Sequence, residues 1–158
     1  FGITGCGNNC LKAEENDMSI KGGYTVEWDR NACTLCGVCS KACRDGAITQ
    51  TESEILLDRE KCTNCGRCVK ACPFDAWKGE PGYLVSFGGT FGNLIAKGKQ
   101  VLPIIRDKET LFRVADAALA FFDRHANPSE RFRVAIDRTG WDKFKSEMEA
   151  AYRGGIQD

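Results

Sequence analysis

Cys33-Thr34-Leu35-Cys36-Gly37-Val38-Cys39-Ser40-Lys41-Ala42-Cys43 is answered 29 positions later by Cys62-Thr63-Asn64-Cys65-Gly66-Arg67-Cys68-Val69-Lys70-Ala71-Cys72. Each copy spells C-x2-C-x2-C-x3-C, and together they hold eight of the ten cysteines. The likeness extends on both sides, from Asp29-Arg30 against Asp58-Arg59 to Ala47 against Ala76. The segment is therefore an internal duplication. Cysteines this dense could belong to a secreted disulfide scaffold or to two zinc sites. A second C-x2-C step inside one loop suits neither. It suits convergence of soft thiolates on a larger inorganic centre.

The spacing is that of the bacterial ferredoxin run, in which three cysteines hold one [4Fe-4S] cluster and the fourth reaches the other. On that rule Cys33, Cys36, Cys39 and Cys72 hold one cluster, and Cys62, Cys65, Cys68 and Cys43 hold the second. Gly37 and Gly66 are expected to bring backbone close to the sulfides. Pro73 turns the chain away after Cys72, where the first copy has Arg44. Trp28 and Trp77 flank the duplicated segment and are expected to shield clusters from water.

Composition narrows the class. The chain has 158 residues with 22 basic and 22 acidic side chains, so no basic excess points to nucleic acid or an anionic membrane surface. No apolar run approaches the roughly 20 residues that span a bilayer. Reduced thiolates and iron–sulfur centres fit a cytoplasmic setting. The chain starts Phe1-Gly2-Ile3-Thr4 without Met. It reads as if it opens inside a strand, and a fragment of a longer protein is expected.

Outside the duplication the patterning is that of an α/β domain. Strands are expected at Phe1–Thr4, Thr25–Trp28, Tyr83–Phe87 and Val101–Ile105, with short ribbons at Ala47–Thr49 and Ile55–Leu57. A short helix is expected over Asn93–Lys99. A longer one runs from an Asp107 cap to about Ala126, with Leu111, Val114, Ala115, Ala118, Leu119 and Phe122 as its apolar stripe. Ser129 is expected to cap a helix ending at Gly140. A last helix spans Asp142–Tyr152 and stops at Gly154-Gly155. The domain reading is a host over residues 1–27 and 81–158, interrupted by a two-cluster ferredoxin insertion at 28–80.

Cys6 and Cys10 are the remaining cysteines, in Gly5-Cys6-Gly7-Asn8-Asn9-Cys10. By itself C-x3-C is a weak signal that two free thiols would satisfy. Here it follows a strand and precedes the duplication, in a loop rich in amide donors. Gly88-Gly89-Thr90-Phe91-Gly92 could set amides against an anionic group, helped by a following helix N-terminus, or could be an ordinary turn. His125, the single histidine, is expected at a helix C-terminus, Lys12 in solvent, and Phe112, Phe121, Phe122 and Phe132 in a helix core.

The ordered combination of G-C-x-N-x-C, a two-cluster ferredoxin, G-Y-x-V-x-x-G-G-x-x-G and terminal helices containing E-R-F resembles the C-terminal half of a sirohaem-dependent sulfite reductase. It is most similar to the dissimilatory enzymes and the anaerobic sulfite reductase catalytic subunit. The resemblance implies an α/β (α+β) half domain with the ferredoxin module inserted. It implies that Cys6 is a ligand of a third [4Fe-4S] cluster, and that Cys10 ligates it and bridges to the sirohaem iron. It also implies that the other two ligands lie upstream in a C-x5-C motif absent from this sequence, together with the cationic residues that grip the substrate. Gly7 stands where that family often has proline.

The implied activity is six-electron reduction of sulfite to sulfide, with electrons delivered by a donor protein or subunit and the N-terminal half of the same protein as a partner. The chain alone would lack most of the sirohaem site and would be inactive. Nitrite as the substrate, or an isolated ferredoxin-type carrier with Cys6 and Cys10 unligated, are the alternatives.

Overall fold

The computed structural model describes residues 1–154. The chain divides into two compact units, Phe1–Gly22 with the chain from Gly82 onward, and Gly23–Pro81.

The first unit is built on strands β1 (Gly2–Thr4), β2 (Met18–Tyr24) and β7 (Pro81–Phe87), hydrogen-bonded in the order β1-β2-β7. β1 runs parallel to β2 with Ile3 opposite Ile20. β2 lies in a stretch whose composition reads as polar. Met18 and Ser19 are nevertheless buried, and Lys21 is only 9% exposed. Its ammonium lies 2.6 Å from the Glu14 carboxylate, in the 3-10 turn Ala13–Glu15. The pairing lets a charged residue sit in a covered strand, because a buried charge needs a partner.

Three helices complete this unit: α3 (Lys108–His125), α4 (Phe132–Thr139) and α5 (Trp141–Arg153). The Asp107 carboxylate accepts from the Thr110 amide at 2.7 Å and caps α3 as its sequence position predicts. Gly140 ends α4 with φ of 100° and leads directly into α5. Glu130 receives the Arg138 guanidinium through both carboxylate oxygens and the Asn127 amide at 2.7 Å. These donors, Arg138 first, hold its carboxyl down at about 2.

Several sequence expectations need correction. Asn93–Lys99 is not a helix. Thr90 and Ala96 exchange backbone hydrogen bonds, as do Phe87 and Lys99, so the segment folds back as an extended loop on the end of β7. Val101–Ile105 is not a strand. It makes one bridge, Tyr83 with Ile105, and Pro103 has no N–H to extend it. Ser129 does not cap α4. It adopts φ of 63°, and α4 starts after Arg131 with no side-chain cap. On α3, Leu119 is 51% exposed, whereas Phe121, outside the expected stripe, is fully buried. Phe112 is 63% exposed and is no core residue. Gly155, assigned to the end of the last helix, lies outside the described residues.

Phe144 is the hub of this unit's core. It is fully buried and meets Phe87 and Phe121 edge-on at 5.0 Å and Phe132 at 5.7 Å. Aromatic pairs in this geometry add to simple burial. Phe144→Ala is expected to destabilise the unit by about 3–5 kcal/mol, read as a lower denaturant midpoint for loss of helical circular dichroism.

The second unit holds β3 (Glu27–Trp28), α1 (Val38–Ala42), β4 (Ile48–Gln50), β5 (Ile55–Leu57), α2 (Arg67–Ala71) and β6 (Trp77–Lys78). The sequence repeat is also a backbone repeat. Leu35 and Asn64 both have left-handed φ, of 55° and 52°, as do Gly46 and Asp75, at 63° and 51°. Asn31 donates to the Asp29 carboxylate as Glu60 does to that of Asp58. Residues 23–27 belong with this unit, since the Tyr24 amide donates to the Asn64 carbonyl and the Thr25 amide to that of Glu80.

Candidate cluster sites

The strand pairing of the small unit decides which cysteines meet. β3, which leads into the first cysteine run, pairs antiparallel with β6, which leaves the second, with Trp28 opposite Trp77. β5, which leads into the second run, pairs with β4, which leaves the first, with Ile48 opposite Leu57. The Asp29 amide accordingly donates to the Ala76 carbonyl and the Asp58 amide to the Ala47 carbonyl, both at 2.8 Å. Each copy's exit is tied to the other copy's entrance. The fourth cysteine, just before the exit strand, is thereby carried to the opposite loop.

Two cavities result. One is lined by Cys33, Cys36, Cys39 and Cys72, with Val38, Ile55, Pro73, Phe74, Ala76 and Trp77. The other is lined by Cys43, Cys62, Cys65 and Cys68, with Val26, Asp45, Ala47, Ile48, Leu57 and Arg67. Cys39 on α1 and Cys43 just past its end are four residues apart yet line different cavities, and Cys68 on α2 and Cys72 just past its end do the same. Among the described residues no three His, Cys, Asp or Glu side chains are grouped as around a single metal ion. Each thiol set is spread around a space, and each could hold a multi-iron group.

The loops get their shape from two glycines. Gly37 and Gly66 precede α1 and α2 with left-handed φ of 75° and 70°. A Cβ at Gly66 would stand 2.5 Å from the Tyr24 ring, and one at Gly37 would stand 2.5 Å from the Gln50 amide oxygen. Helix entry and side-chain approach both require glycine at these two positions. Tyr24 also receives the Lys70 ammonium 5.0 Å from its ring centroid. No sequence motif points to that contact.

The thiols are not equivalent. Burial pushes Cys68 up to about 11, with the neighbouring Cys62 and Cys65 raising it further against the Val69 amide. It must release a proton when it takes a metal. For Cys72 burial also acts upward, but the Phe74, Trp77 and Ala76 amides outweigh it and draw the thiol below its ordinary range. The equivalent contact in the first copy is Ala47 N–H to Cys43 Sγ at 3.3 Å. Amides aimed at sulfur favour the thiolate that metal binding needs. The buried apolar residues of this unit are Val26, Ala47, Ile48, Ile55, Ala76 and Trp77, with Cys39 and Cys68.

In the first unit, Cys6 and Cys10 lie on consecutive turns. The Asn9 amide donates to the Cys6 carbonyl at 3.2 Å and the Lys12 amide to the Asn9 carbonyl at 2.9 Å. The Asn9 side chain accepts from the Ala13 amide at 2.9 Å, which ties the loop to the 3-10 turn. The loop is anchored at its start by Gly22, where a Cβ would stand 2.3 Å from the Gly5 carbonyl oxygen. Both thiols are exposed, and this unit has no other cysteine.

The remaining candidates settle simply. Lys12 is 70% exposed and 3.8 Å from Glu15. His125 ends α3 and packs against Phe121 at 4.6 Å. Gly88-Gly89 is a turn held by the Gly88 amide on the Asp17 carbonyl and Arg133 on the Gly88 carbonyl. No helix follows it, so the helix N-terminus expected there is absent. Trp77 lines the first cavity, whereas Trp28 lines neither.

No helix among the described residues is long and apolar enough to cross a membrane. Comparison with known proteins gives three results. The chain is 33% identical over 150 residues to the coenzyme F420-dependent sulfite reductase of Methanocaldococcus jannaschii, an alignment covering 93% of this chain and 24% of that protein. It thus spans about a quarter of that curated relative. Dissimilatory sulfite reductase I shares the fold, with a TM-score of 0.61 at 19% identity, over 93% of this chain and 41% of that one. Residues 1–154 match the nitrite and sulphite reductase 4Fe-4S domain. With its mixed α/β architecture and its match across the described length, the chain belongs to the nitrite and sulphite reductase 4Fe-4S domain family.

Proposed function

We propose that this chain is the electron-delivering part of a sulfite reductase. In this reading the unit Gly23–Pro81, a few residues wider than the 28–80 expected from sequence, is an inserted two-[4Fe-4S] ferredoxin module, and the rest of the chain belongs to the sirohaem-binding half domain. The observation that carries it is the pair of crossed cavities, Cys33/Cys36/Cys39/Cys72 and Cys43/Cys62/Cys65/Cys68. Eight thiols, two in each cavity among the most buried side chains of the unit or held by amides, fit two cubanes and have no other chemical use there. When bound, such clusters carry single electrons.

The chain's own residues would do three things. The eight cysteines would hold the clusters at fixed separation. Val26, Ile48, Ile55 and Trp77 would exclude water from them. Cys6 and Cys10 would supply two thiolates of a third [4Fe-4S] cluster, Cys10 also reaching the sirohaem iron. The exposure of both thiols supports that role. The remaining two ligands and the anion-gripping cations would come from the rest of the protein. A donor protein or subunit would supply electrons, in a cytoplasmic setting.

The named relative favours sulfite over nitrite as the substrate. Nothing in the two cavities discriminates between them.

The test is direct. Anaerobically prepared protein is expected to carry iron and acid-labile sulfide in this segment at about eight each per chain, as two four-iron cubanes require. Stoichiometric zinc without labile sulfide would contradict the proposal.

A further inference from the structure

The two cavities of the small unit are built from corresponding positions of the repeat; Ile55 against Val26 is a conservative difference, and three other shared positions change chemical character. Val38, Phe74 and Trp77 stand around the cavity of Cys33, Cys36, Cys39 and Cys72. Arg67, Asp45 and Ile48 occupy the matching places around the cavity of Cys43, Cys62, Cys65 and Cys68. The first cavity is thus walled by apolar side chains, and one of these brings a hydrogen-bond donor.

That donor is the indole N–H of Trp77. The side chain is 2% exposed, and its Nε1 is buried with no hydrogen-bond partner. Buried N–H groups are nearly always satisfied, and an orphan calls for an absent acceptor such as a bound group. Its backbone is held in β6 by pairing with β3 opposite Trp28, and its own backbone amide already serves Cys72. The nearest chemistry the cavity offers is sulfur. Four thiols line the same space, and the cluster proposed above would add its sulfides.

We propose that the Trp77 indole N–H donates a hydrogen bond to a sulfur of the cluster held by Cys33, Cys36, Cys39 and Cys72, and raises the reduction potential of that cluster alone. The direction follows from charge. Reduction makes the cluster more negative, and a donated N–H stabilises the reduced state more than the oxidised one. Confinement to one cluster follows from Ile48, which has no donor to offer at the matching place. This inference rests on the two-cluster reading of the unit. Trp28 is the internal control, because its Nε1 is also unpartnered but its ring lines neither cavity.

The experiment compares the full-length protein with its Trp77→Phe and Trp28→Phe variants by redox titration followed by electron paramagnetic resonance. Iron and labile sulfide are measured on each sample. Trp77→Phe is expected to keep its iron and sulfide, to lower one midpoint potential and leave the other in place, and to lose one exchangeable-proton coupling. Trp28→Phe is expected to leave both potentials unchanged. Intact clusters with unchanged potentials and couplings in Trp77→Phe would overturn the hydrogen bond while sparing the two-cluster reading. Wild-type protein without labile sulfide in this segment would overturn both. Should Trp77→Phe fail to hold its clusters, wild-type protein labelled with 15N in the indole ring decides the matter. A 15N coupling to one reduced cluster supports the bond, and its absence overturns it.

Discussion

On the proposed function, replacing Cys10 by serine in the whole sulfite reductase is expected to drop dye-linked sulfite reduction to the assay background, while the two clusters proposed for the small unit survive. Serine keeps the size of the side chain but offers a hard, weakly acidic hydroxyl where a soft thiolate is required. The loop itself should tolerate the change. Its turns are held by the Asn9 and Lys12 amides and the Asn9 side chain, and Cys10 is exposed. Survival of the other clusters follows because their eight cysteines lie in Gly23–Pro81, whereas Cys10 lies in Phe1–Gly22. The variant should therefore lose sirohaem absorbance or its coupling, yet keep about eight iron atoms from the two cubanes. Full turnover by Cys10→Ser would remove the ligand assignment. Loss of all iron together would mean that the two units do not assemble independently.

Much of this was legible in the sequence, for identifiable reasons. A repeat of 29 residues with matching cysteines, glycines and Asp-Arg pairs predicts two like halves, and the φ angles at Leu35 and Asn64 repeat accordingly. The Asp107 cap and the Gly140 stop are local signals, with a mechanism contained in one or two residues. The misses share a different origin. β2 is hidden because Lys21 and two glycines dilute its alternation, and only the distant Glu14 makes the lysine acceptable. The loop at 93–99 reads as a helix because its residues allow one, but pairing with Phe87 and Thr90 wins. On α3, the stripe slips by one position because Phe121 is gripped by Phe144 of α5, and tertiary contact overrides periodicity. The orphaned indole of Trp77 could not be seen from sequence at all, since any tryptophan there reads as packing.

The central claim is that each fourth cysteine serves the opposite copy, and pairs of substitutions test it with a yes-or-no contrast. If Cys33 and Cys72 serve one cluster, Cys33→Ala with Cys72→Ala damages only that cluster. If Cys33 and Cys43 serve different clusters, Cys33→Ala with Cys43→Ala damages both. The strand pairing gives the physical reason, since β6 returns to β3 and β4 to β5. The measurement is spin quantitation of reduced [4Fe-4S] signal, with iron and labile sulfide, on anaerobically purified double variants. The account predicts one intact cluster in Cys33→Ala/Cys72→Ala and none in Cys33→Ala/Cys43→Ala. One intact cluster in Cys33→Ala/Cys43→Ala and none in Cys33→Ala/Cys72→Ala would contradict it.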